Sequence, residues 1–125
     1  MKTTKLSLAF VAFCLATAVF AHAAASFSWI ETSHDFGKIQ KGKPVVASFE
    51  FKNSGTQPLV ISQAVGSCGC TGVEFSKDPI LPNQTGSIKA TFNAAVVGPF
   101  SKSVTVTSNA ETGVVVLKIH GEVFE

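Results

Sequence analysis

The sequence has no tyrosine and no arginine. Without arginine the planar fork that clamps phosphate or carboxylate through two parallel hydrogen bonds is missing, and every cationic side chain is a lysine. Charged residues make up only 14% of the chain, so no acidic or basic run dominates it. The motifs G-x-S-x-G, H-E-x-x-H, the phosphate-binding P-loop and G-x-G-x-x-G are all lacking. Their absence removes the common signatures of serine hydrolases, zinc peptidases, nucleoside triphosphatases and dinucleotide-dependent enzymes. Cysteine is scarce as well, at three residues.

What is present begins with a leader. Lys2 and Lys5 precede the apolar run LSLAFVAFCLATAVFA, and the small residues AHAAAS follow. A positive start, an apolar centre and an A-x-A site predict a signal peptide over residues 1–25, cut after Ala23 or Ala25. The run approaches bilayer-spanning length, but His22 and the alanine-rich end favour cleavage over an anchor. Phe13 stands before Cys14 where a lipobox wants a small residue, which argues against lipidation. Once the leader and its two lysines are gone, eight lysines balance eight acidic residues. No basic patch is left for nucleic acid or an anionic membrane, so neither partner is expected and no membrane insertion follows cleavage. The expected destination is the periplasm or the extracellular medium.

Residues 26–125 form one domain long enough for a single core. Its periodicity is two, the mark of strands with one face buried. In VVASFEFKN, Val45, Ala47, Phe49 and Phe51 alternate with Val46, Ser48, Glu50 and Lys52. PLVISQAV places Leu59, Ile61 and Val65 on one face. Ile88, Ala90 and Phe92 share a face in SIKATFN, Val104 and Val106 in SKSVTVTSN, and Leu117 and Ile119 in the last apolar stretch. TGVEFS reads as a short strand, and SFSWIETSHDFGKI as a first strand with a break near DFG. Trp29 is assigned to core or edge packing. Asn83, in the turn PNQTG, is expected in the left-handed backbone region that asparagine tolerates. About seven short strands separated by turns predict an all-β, immunoglobulin-like antiparallel sandwich.

The candidate for chemistry is GSCGCTG, residues 66–72, with Cys68 and Cys70. In a regular strand their Cβ atoms stand about 6.6 Å apart, beyond disulfide reach. A bond requires the chain to bend at Gly69, closing a tight ring that is readily reduced. Two thiolates on one face suit Cu(I). Zinc needs four ligands, and only His34 and His120 remain to supply the others. A third reading makes both cysteines small packing residues at a strand end. His34, beside Asp35, reads as part of a turn cap and His120 as a solvated strand residue. No catalytic residue is assigned.

DFGKIQKG, FEFKNSG, PLVI, GSCGCTG, PILPNQTGSIKATFN, GPFSKSVTVTSN and VVLKIHGEV occur in that order. In this the chain resembles the bacterial family called domain of unknown function 1573. That family is similar to the immunoglobulin-like domains of ciliary and centrosomal proteins of the Hydin and major-sperm-protein type. The resemblance implies a seven-stranded sandwich in an exported module and no enzyme activity. Cys68 and Cys70 fall on its S-C-G-C-T motif, and Asn83 departs from the glycine usual there. The expected function is that of a non-enzymatic module binding an envelope or secreted protein through a sheet edge. The alternative is a thiol-redox or copper-handling protein working through Cys68 and Cys70, with Cu(I) as the only cofactor considered. An enzyme of another kind would need a pocket that the sequence does not locate.

Overall fold

The computed structural model describes residues 23–125. The expected leader lies outside them up to His22. Eight strands follow in order: β1 (Phe27–Trp29), β2 (Ser33–Gln40), β3 (Val45–Asn53), β4 (Ile61–Gly66), β5 (Thr71–Phe75), β6 (Thr85–Phe92), β7 (Gly98–Ser108) and β8 (Val114–Phe124). They form two four-stranded sheets, β1-β3-β6-β5 and β2-β8-β7-β4. All neighbours are antiparallel except β2 and β8.

The period-two faces meet between the sheets. Phe49, Phe51, Ile61, Ile88, Phe92, Val104, Val106, Leu117 and Ile119 are all buried, as the alternation predicts. Phe27, Trp29 and Phe51 pack their rings with centroids 4.7–5.0 Å apart at one side of this core.

Three expectations are corrected. Among the described residues there are eight strands, because the first expected strand is two. Ile30–Thr32 carries the chain from β1 in one sheet to β2 in the other. The irregularity at DFG is a bulge inside β2. There the register shifts, Gly37 takes φ +66°, and Asp35 Oδ1 accepts the Gly37 N–H at 2.8 Å. Val65 points outward, at 48% exposure. β4 carries one extra residue at Ser62, between the partners of Ser108 and Thr107, so every later side chain changes face and Ala64 packs inward instead. Asn83 does adopt the left-handed region, with φ 68°.

Candidate functional site

β4 and β5 are edge strands of opposite sheets, and GSCGCTG is the corner between them. β4 stops at Gly66, where an added Cβ would lie 2.9 Å from the Thr71 carbonyl oxygen, so the two arms of the corner touch. Ser67 still donates its N–H to Ser103 O at 2.8 Å, and the Thr71 N–H reaches back to Cys68 O at 3.3 Å. Between these anchors the chain bends, bringing the Cys68 and Cys70 Cα atoms to 5.3 Å, and the two sulfurs are bonded. The bent form is the one adopted, and both cysteines are half-buried.

Thr71 was not singled out in the sequence. It is buried, and its Oγ1 lies 3.9 Å from each sulfur. The signal was available: in TGVEF the alternation puts Thr71 on the inward face with Val73 and Phe75.

Cys70 also forms part of the wall of a groove of about 370 Å³ at this end of the sandwich. Its floor is the stacked pair Phe92 and Phe100, one ring from each sheet, with centroids 4.0 Å apart. Its rim is the β6–β7 loop, where Val96 is 77% and Val97 48% exposed. Asn93 N–H donates to Cys70 O at 3.1 Å, which ties the disulfide corner to that rim. The same loop holds Ala94 at φ 53°, a backbone region costly for a residue with a Cβ. Lys102 is the one charged side chain lining the groove.

The histidines do not join the cysteines. His34 Nδ1 pairs with Glu31 Oε1 at 3.0 Å, and His120 Nε2 lies 3.7 Å from Asp35 Oδ2. The turn cap assigned to His34 and Asp35 belongs to Asp35 alone. Among the described residues no three His, Cys, Asp or Glu side chains come together in a way that could hold a metal ion. A hollow of about 570 Å³ beside β1 is larger, but it contains no cysteine or histidine; Trp29 in its wall buries an Nε1 that donates to no protein group.

Two face-packed sheets, antiparallel except where β2 pairs with β8, define an immunoglobulin-like sandwich. The match of residues 27–123 places the chain in the family described as "Protein of unknown function (DUF1573)", to which it belongs. Among solved structures it is similar to a protein of unknown function from Porphyromonas gingivalis W83. That likeness has a TM-score of 0.70 at 15% identity, covering 84% of this chain and 50% of that one. The chain thus spans half the length of that relative. It is also similar to the ASH/PapD-like domain 7 of human CEP192, with TM-score 0.66, 11% identity, and 87% and 92% of the two chains covered. A third likeness is to SSP-19, an MSP-domain protein like family member in Caenorhabditis elegans. It has TM-score 0.50, 10% identity and coverage of 71% and 94%. Among curated proteins no sequence relative matches. At these identities the likenesses establish the fold.

Proposed function

We propose that the chain is an exported, non-enzymatic immunoglobulin-like module that binds another envelope or secreted protein, and that contact is made at the groove between Phe100 and the Val96–Val97 rim. The carrying observation is that rim. Two valines stand exposed on the rim of a groove whose floor is a stacked phenylalanine pair. Exposed apolar side chains around a concave site are what a partner's side chains cover. This moves the expected contact from a sheet edge to the end of the sandwich.

The test is recovery of a partner from envelope extract by cross-linking, with Val96→Asp, Val97→Asp as comparison. One protein held by the wild type and lost by the folded double variant is the expected result. Equal recovery by both would refute contact at the groove.

A second reading, thiol chemistry through Cys68 and Cys70, is favoured by their bond. The copper reading needs the pair reduced first, because a bonded pair offers no thiolate to Cu(I).

A further inference from the structure

The disulfide is set where a docked segment would meet it, and its size makes it a poor stabiliser. Cross-linking across one intervening residue restricts the unfolded chain very little compared with a long loop. Bonds closed over such short spans belong to the reducible class. Cys70 lines the groove, while Cys68 is held on the far arm of the corner, with Thr71 Oγ1 at 3.9 Å from both sulfurs.

We propose that the Cys68–Cys70 disulfide captures its partner covalently: a cysteine thiolate on an apolar segment seated in the groove attacks Cys70 Sγ and displaces Cys68. This rests on the groove being the docking site. The step balances without an external oxidant. The partner's sulfur forms a bond to Cys70 Sγ as the Cys68–Cys70 bond breaks. The electron pair of the broken bond leaves on Cys68, which takes up a proton from solvent. One disulfide is exchanged for another. The reverse attack, by the Cys68 thiolate on Cys70 Sγ, releases the partner and restores the starting bond.

The residues on the page divide the work. The stacked rings of Phe92 and Phe100, with Val97, hold apolar side chains flanking the incoming cysteine. Lys102 places a positive charge in the same groove, which favours an incoming thiolate. The Thr71 hydroxyl is a positioning group: it turns its proton to Cys68 Sγ, which carries the negative charge as it leaves and again as it attacks on reversal. The Asn93–Cys70 backbone bond keeps the attacked sulfur in register with the rim through the exchange.

The experiment uses oxidised protein and two thiol probes, glutathione and a short peptide with one cysteine between leucine and valine. Intact mass after acid quenching and alkylation counts adducts, and peptide mapping locates them. The expected result is a mixed disulfide on Cys70 with Cys68 alkylated, formed about tenfold faster with the apolar peptide than with glutathione. Val97→Asp should abolish that preference. Thr71→Val should slow both probes about fivefold, the effect of one lost hydrogen bond, and Thr71→Ser should restore the rate. An adduct on Cys68, equal rates for the two probes, or no adduct with either overturns the proposal. Absence of any adduct while Val96→Asp, Val97→Asp still loses its partner overturns covalent capture alone and leaves docking in place.

Discussion

Asn53 is the polar residue on which most of one end of the sandwich hangs. It is completely buried, on the inward phase of β3 after Phe49 and Phe51. Its Nδ2 donates to Gln57 O at 2.8 Å and Ile80 O at 2.9 Å, and its Oδ1 accepts from Gly55 N at 3.0 Å and Ser26 N at 3.3 Å. Both donors and both lone pairs are thus used, which is the condition under which a buried amide stabilises. Truncation would take this partner from Gln57 O and from the Gly55 and Ser26 N–H groups, and leave Ile80 O with the Leu59 N–H alone. Asn53→Ala is therefore expected to lose about 3 kcal/mol or more in urea denaturation. A loss below about 1 kcal/mol would show that water replaces the amide. The position was legible in part, since a polar residue stood on the inward phase of FEFKN. What its side chain reaches was not, because Ile80 and Ser26 are each 27 residues away in sequence. Thr71 is a similar case: the alternation gives its face, and only the bend at Gly69 brings both sulfurs to its hydroxyl.

At the scale of elements, the alternating strands were readable because each buries one face against the opposite sheet. The errors sit where one residue changes the phase or the sheet. Ser62 adds a residue to β4 and turns Val65 out. Ile30–Thr32 divides the first segment between two sheets, a decision made by packing and not by local preference. The segment before β1 is held just as firmly as a strand. Ala25 is 1% exposed and bridges Ala110, Ala24 O accepts from Thr56 N at 2.9 Å, and Ala25 O accepts from Glu111 N at 3.1 Å. Gly55 leaves room for this segment; a Cβ there would stand 2.7 Å from Ser26 N. Cutting after Ala25 would discard these contacts, whereas cutting after Ala23 keeps them. On the proposed export, the mature chain is expected to begin at Ala24. An intact mass beginning at Ser26 would contradict this and predict a less stable domain.

For the whole molecule, the stability of the sandwich comes from its two phenylalanine-rich and aliphatic inner faces. Cys70 packs against the margin of that core, and the disulfide sits at a corner between edge strands. The groove was not legible in the sequence, because its floor joins Phe92 of one sheet to Phe100 of the other and its wall comes from the β4–β5 corner. That the motif leaves the strand ladder with partly accessible sulfurs was legible from its three glycines. The central claim is that the bond between Cys68 and Cys70 is kept for its reactivity and not for the fold. The most direct measurement is equilibrium denaturation of the oxidised protein beside the Cys68→Ser, Cys70→Ser double variant. The double variant should fold and unfold cooperatively, with a loss of about 1–2 kcal/mol, the scale set by closing so short a loop. A double variant that does not fold, or that loses about 4 kcal/mol or more, would show the disulfide to be a structural staple.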